Sequence, residues 1–256
     1  MDLDAFRSQN PEEVAELGSF ILPDAVVQAD FHLLFTLVQD ESVDLVLTDP
    51  PYWSLDRWRE VGTTTRLGGH RDPGKRREEM WFPTITPDDL TVLLHETWRV
   101  LKPDRHAYIM CDATVLPVLL GAAQDQDWRF VKPLVWDKVN PGMGYHYRAT
   151  YEFVVMLEKG KRALKDLGIA DILRFKRVTG GFPTEKPIGL FDLLVSQSTE
   201  PGELVMDPFC GAGTVGVAAK KAKRHYVLGD IQAEAVKTAE ERLSQGVLPE
   251  TADATH

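Results

Sequence analysis

The chain has 256 residues, 43% hydrophobic and 27% charged, with a net charge of −10 and a pI of about 5.2. That length suits one large α/β domain, and no stretch nears the ~18 consecutive apolar residues that a membrane-spanning helix needs. Residues 1–16 are acidic and lack the basic start and apolar middle of a secretory leader, so a cytoplasmic protein without membrane partners is expected.

Taken in chain order, residues 18–30 give two short apolar runs ending at Asp30, then a helix-like segment from Phe31 to Val38. The apolar run Val43–Leu47 predicts a buried strand that stops at Thr48-Asp49-Pro50-Pro51-Tyr52-Trp53. Residues 54–86 follow as a long polar stretch without a sustained period, and loops of that length in compact domains are usually functional or disordered. Within it, Arg57, Arg59, Arg66, Arg71, Lys75, Arg76 and Arg77 stand against only Glu60 and Asp72 across positions 57–77, so a local basic segment sits inside an acidic chain.

Thr86-Pro87-Asp88-Asp89 has the signature of a helix start, and Pro103 is expected to close that helix. Strand 106–111, helix 114–125, strand 129–136, a loop at 137–148 and strand 151–157 come next, with 160–186 basic and irregular. A helix from Lys186-Pro187 leads to strand 203–207, a glycine loop, a helix to about residue 223, strand 225–229 and a last helix over 232–244. Strands alternating with helices predict one Rossmann-like α/β domain over 17–245. It would have a mostly parallel sheet, an antiparallel hairpin at one edge and helices on both faces, with tails at 1–16 and 246–256.

Cys111 and Cys210 are the only cysteines, too few for a disulfide framework or a four-cysteine zinc site, and no metal site is predicted. The chemistry lies in two acidic strand ends. Asp49 closes the first strand, and Asp207 closes another just before Pro208-Phe209-Cys210-Gly211-Ala212-Gly213-Thr214. Ligands of open α/β sheets bind outside the carboxyl ends of the strands, so two such ends side by side would form one site.

The glycine loop matches G-x-G-x-x-G, and Asp230 ends the next strand nineteen residues after Gly211. That pattern alone also fits a dinucleotide oxidoreductase. Asp207 argues against it, because a carboxylate just ahead of the loop would face the pyrophosphate dianion. S-adenosylmethionine instead offers a cationic ammonium and sulfonium, which Asp207 can pair with. At the other strand end, an exocyclic amino group is a poor nucleophile whose lone pair is delocalised into its ring. Asp49 can accept one N–H and the Pro50 carbonyl the other, Pro50 and Pro51 fix the turn, and Tyr52 offers a flat aromatic face.

These two loops, with Arg99–Pro103, Trp136-Asp137-Lys138, Tyr151-Glu152 and Phe182–Pro187 in the same order, resemble the amino-methylating DNA methyltransferases, in the permuted order that places the catalytic tetrapeptide first. The resemblance runs from about Ala29 to Leu243. It departs at Phe182, where the family often has histidine, and at Asp230, where glutamate is more usual. It implies S-adenosylmethionine as cofactor and double-stranded DNA as partner, with a flipped base methylated at adenine N6 or, by the same chemistry, cytosine N4. By the same resemblance Asp30 would contact the cofactor adenine, Asp230 its ribose, and Phe209 and Lys186 would flank its pocket, with Gly211, Gly213 and Thr214 in the loop. The segments 54–86 and 137–150 would be DNA-contacting insertions, the second through Lys138, Tyr145 and Arg148. A homodimer, a separately encoded restriction endonuclease partner and a silent DNA-binding subunit all stay open.

Overall fold

The computed structural model describes residues 23–55, 83–142, 147–178 and 185–245. The basic segment 57–77, Tyr145, Phe182 and the expected tails lie outside the described residues. The described strands are β1 (Ala25–Gln28), β2 (Val43–Thr48), β3 (Leu101–Cys111), β4 (Arg129–Asp137), β5 (Tyr151–Lys159), β6 (Ile172–Arg174), β7 (Leu204–Asp207) and β8 (His225–Asp230). The helices are α1 (Phe31–Thr36), α2 (Pro87–Val100), α3 (Leu116–Gln124), α4 (Ile188–Ser198), α5 (Thr214–Lys221) and α6 (Ala233–Ser244), and a short 3-10 turn covers Trp53–Leu55.

The strands form one sheet in the order β1-β8-β7-β2-β3-β5-β4-β6. Every pairing is parallel except the two made by β5, which runs antiparallel to β3 and β4. Period-two alternation sends neighbouring side chains to opposite faces. Val46, Ala107 and Ile109 join α1, α2 and α3 in one core, while Leu45, Leu47, Tyr108 and Met110 join α4, α5 and α6 in the other. A sheet covered on both faces explains why β2 is buried along its whole length, and its one charged residue, Asp44, is paired with Lys102 and Arg105.

Local signals set several elements. Thr86 caps α2, its hydroxyl accepting from the Asp89 amide at 3.1 Å while the Asp89 carboxylate accepts from the Thr86 amide at 2.9 Å. This reciprocal box, with Pro87 in the first turn, satisfies two end donors. Leu90, Leu93, Leu94 and Val100 then recur on the buried face with no exposure, each worth ~1.5–3 kcal/mol of apolar burial.

Two elements differ from expectation. Helix α2 ends at Val100 and β3 begins at the next residue, so Pro103 lies inside the strand rather than in a connection. It is tolerated because the β2–β3 register slips there, Val43 pairing with Leu101 but Leu45 with His106, with Asp104 in the left-handed region at φ 57. The region expected to be irregular also contains β6, which pairs parallel with β4 and lies outside the β4–β5 hairpin at the sheet edge.

The site follows from one topological fact. From β2 the chain crosses to β3 on one side, whereas from β7 it crosses to β8 on the other, and β2 and β7 pair with each other. The strand order therefore reverses between β2 and β7, leaving a crevice at their carboxyl ends.

Candidate active site

Both acidic strand ends open into that crevice. Thr48 ends β2, Asp207 ends β7, and the Thr48 hydroxyl donates to Asp207 Oδ1 at 2.7 Å. Asp49 is the next residue, so the two carboxylates flank a seam between segments 159 positions apart. The pocket is lined by Asp49, Lys186, Asp207, Phe209 and the glycine loop.

Asp207 is 3% exposed and accepts from the Phe209 amide at 3.0 Å as well as from Thr48. Burial pushes its pKa up to about 7, against the lowering effect of those two neutral donors, and the charges of Asp49 and Asp230 push the same way. Such a carboxylate, held by neutral donors beside other acids, would be stabilised in its ionised form by an added positive charge.

The glycine loop is shaped by backbone demands. Gly211 and Gly213 have φ of 49 and 74, the left-handed region that side chains disfavour. A Cβ on Gly213 would lie 2.7 Å from the Ala239 methyl, so α6 closes over the loop only because no side chain is there. The Asp230 carboxylate accepts from the Gly211 amide at 3.0 Å and the Gln232 amide at 2.9 Å. Burial raises its pKa as well. Arg242, in the last turn of α6, donates to the Ala212 carbonyl at 2.7 Å and pairs with Glu185 at 2.8 Å, tying the loop to the segment before α4.

The first turn is equally constrained. The Tyr52 hydroxyl donates toward Asp49 Oδ1 at 3.0 Å and toward the Met110 carbonyl, while Lys186 pairs with Asp49 Oδ2. The Pro51 carbonyl accepts from the Ile85 amide at 2.7 Å, which fixes the turn against the strand of chain ahead of α2. Burial and the Asp49 charge hold the Tyr52 phenol well above its ordinary pKa, so it remains a donor. Tyr52 is only 6% exposed, and its hydroxyl points inward to Asp49 and Met110.

Several expected residues sit differently. Asp30 caps α1, accepting from the Leu33 amide at 2.9 Å, and Phe31 behind it packs on Phe209 with ring centroids 5.2 Å apart. Lys138 is 16% exposed, pairs with Glu152 and lies 5.3 Å from the Trp136 ring centroid, so it forms part of the crevice wall instead of an open phosphate contact. The charge on Glu152 draws it inward. Arg148 is exposed, as is Tyr147 beside it. The structure also brings in residues that had no role on sequence grounds, namely Thr48, Glu152, Glu185 and Arg242. Glu152 was visible only as part of a sequence block, and a basic residue in a last helical turn reads as a dipole partner rather than a loop clamp.

Both cysteines are buried, and burial pushes each thiol pKa far above its ordinary value, against a nucleophilic role. Among the described residues, no helix is long and apolar enough to cross a membrane.

An open α/β sheet with two acidic strand ends at its switch point, one of them beside a glycine loop, defines a ligand-binding α/β domain. The N6_N4_Mtase DNA methylase family model matches residues 43–241, and the chain belongs to that family of site-specific DNA amino-methyltransferases. It is 26% identical over 205 residues to the type II methyltransferase M.HhaII of Haemophilus parahaemolyticus, covering 77% of this chain and 86% of that protein. Its fold is shared with TTHA0409 of Thermus thermophilus complexed with S-adenosyl-L-methionine, with a TM-score of 0.61 at 20% identity over 87% of this chain and 95% of the other. It is also shared with the cytosine-N4-specific PvuII DNA methyltransferase, with a TM-score of 0.66 at 17% identity over 91% and 89%.

Proposed function

We propose that this chain methylates an exocyclic amino group of a flipped base in double-stranded DNA, at adenine N6, using S-adenosylmethionine. The observation that carries this reading is the Thr48–Asp207 contact, which sets the base-side and cofactor-side carboxylates next to each other. In this reading Asp207, in the pocket lining, receives the cofactor's ammonium, and Asp230, at the end of β8 beside the glycine loop, takes the ribose hydroxyls. When bound, S-adenosylmethionine supplies an electrophilic methyl group on a sulfonium.

The protein's own contribution is orientation. Asp49 has one oxygen held by Tyr52 and the other by Lys186, so its remaining lone pairs have a fixed direction from which to accept an amino N–H. With the Pro50 carbonyl as second acceptor, the nitrogen's lone pair is turned out of conjugation and toward the methyl donor, which is chiefly a matter of positioning. Asp49 is also placed to take the proton that the methylated nitrogen must lose. The exposed Tyr147 and Arg148, together with the basic composition of segment 57–77, suit a DNA backbone and the gap left by a flipped base. By the family resemblance, aspartate rather than serine at position 49 tilts the choice toward adenine, with cytosine N4 reached by the same chemistry.

The test is labelled-methyl incorporation into DNA, followed by sequencing of the modified bases. Asp49→Ala should lower transfer at least a hundredfold while keeping S-adenosylmethionine affinity within about threefold. Full turnover in that variant would remove Asp49 from the mechanism, and N4-methylcytosine in the product would overturn the choice of base.

A further inference from the structure

A chain of alternating charges runs along the crevice wall, assembled from four separate parts of the fold. Lys138 at the end of β4 pairs with Glu152 Oε1 in β5. Glu152 Oε2 lies 3.9 Å from Lys186, which precedes α4, and Lys186 pairs with Asp49 after β2. Both lysines lie near the face of the buried Trp136 ring, at 5.3 and 6.0 Å from its centroid. Lys186 also shares the pocket with Asp207 and feels its charge.

Three carboxylates therefore compete for one flexible ammonium. Asp49 and Asp207 flank the same seam, and a lysine has a four-carbon stem with three rotatable donors. If Lys186 swung onto Asp207, it would occupy the carboxylate that the cofactor's ammonium needs and would leave Asp49 with its Tyr52 donor but without its lysine.

We infer that Glu152 is a positioning residue that keeps Lys186 on the base side of the crevice, so that Asp207 stays open to the cofactor. This rests on the reading of Asp207 as the ammonium's partner. Glu152 acts only through Lys186. Lys138 closes the chain from the far end, and Arg177 adds its positive charge near Glu152, so the carboxylate stays ionised despite its burial. Burial works against the charge on Lys186, yet Asp49 and Glu152 outweigh it and raise its pKa, so the residue being steered is a full cation.

Glu152→Gln removes the tether's charge at nearly constant shape. S-adenosylmethionine affinity, measured calorimetrically, should fall about five- to twentyfold as Lys186 moves to Asp207. Glu152→Asp, which keeps the charge, should stay within about threefold of wild type. In Glu152→Gln the rise of affinity through pH 7 should also flatten, because an ammonium on Asp207 keeps it ionised; a merely structural loss would leave that rise in place, and thermal unfolding of each variant shows whether it is folded.

Asp207→Ala is measured alongside. If it weakens affinity but Glu152→Gln does not, or if Glu152→Asp loses as much as Glu152→Gln, the tether is wrong and the cofactor reading stands. If Asp207→Ala leaves affinity unchanged, the cofactor reading itself fails and the tether goes with it.

Discussion

The hydroxyl of Thr48 reaches Asp207 across 2.7 Å, and this hydrogen bond ties the end of β2 to the end of β7 in a fully buried position. Valine at position 48 keeps the shape and deletes the donor. Thr48→Val should cost ~1–3 kcal/mol in denaturant unfolding, because a buried carboxylate loses a hydrogen bond. It should also raise the Asp207 pKa further, since a donor to the ionised form is gone. Thr48→Ser should restore both, and a Thr48→Val chain of wild-type stability would show that the bond contributes little.

Removing the Asp207 charge bears on the cofactor directly. Loss of a charge-assisted hydrogen bond costs ~1.5–3 kcal/mol, so Asp207→Ala should bind S-adenosylmethionine about ten- to a hundredfold more weakly while staying folded. Calorimetry on the purified variant decides this.

The same residue sets a pH dependence with two opposite signs. Asp207 titrates near 7 in the folded chain, against ~3.9 unfolded, so the folded state binds the extra proton between those values. Ligand-free stability should therefore decline as pH rises from about 4 to about 7. Cofactor affinity should climb over the upper part of that window, by up to tenfold per pH unit below about 7, because the ammonium pairs with the ionised carboxylate. It should level off above 7 and fall again beyond ~8, as an α-ammonium loses its own proton. Asp207→Asn should bind with no rise through 7, and a wild-type profile flat from pH 5 to 7 would contradict the pairing.

Gly213 tests the glycine loop. Its left-handed φ of 74 and the 2.7 Å approach to Ala239 both exclude a side chain. Gly213→Ala should destabilise the fold by ~1–3 kcal/mol and weaken cofactor binding with it. Ala239→Gly in that background should recover part of the loss by making room, leaving the backbone strain. Equal stability of the wild type and Gly213→Ala would mean that α6 yields freely.

The basic segment has a distinct signature. If the cations among Arg57, Arg59, Arg66, Arg71, Lys75, Arg76 and Arg77 hold phosphates, neutralising two should weaken DNA binding across all sequences. The slope of log K against log salt should become shallower by ~0.9 for each duplex phosphate that is no longer neutralised. An arginine that reads guanine should instead relax specificity at one base pair by ~1–3 kcal/mol. No change in affinity, slope or specificity would make the segment a solvated loop.

What could be read in the sequence was what local chemistry encodes. Asp49 and Asp207 were legible because each follows an apolar run and adjoins a proline, and α2 because Thr86, Pro87 and Asp89 sit in a fixed pattern. Gly213 was legible because a loop entering a helix needs positive φ. The pairings that complete the site were not. Lys186 and Asp49 are 137 positions apart, and no periodicity links them. Glu152 and Arg242 gain their roles only once β5 and α6 have packed. Strand β6 has three residues, too short for alternation to register, and Pro103 hides in β3 because a slip in register accommodates it.

The pairing of β2 with β7 has a consequence for how the protein is made. At about 5–20 residues per second, a ribosome delivers β7 roughly 8–30 s after β2. Throughout that interval one side of an apolar strand stands open, with its backbone donors and acceptors awaiting a partner still to be translated. Closing so long a stretch of chain is also entropically slow. The two halves of the site thus meet late, and chains cut short before residue 204 should self-associate through the exposed edge of β2, whereas longer ones should not.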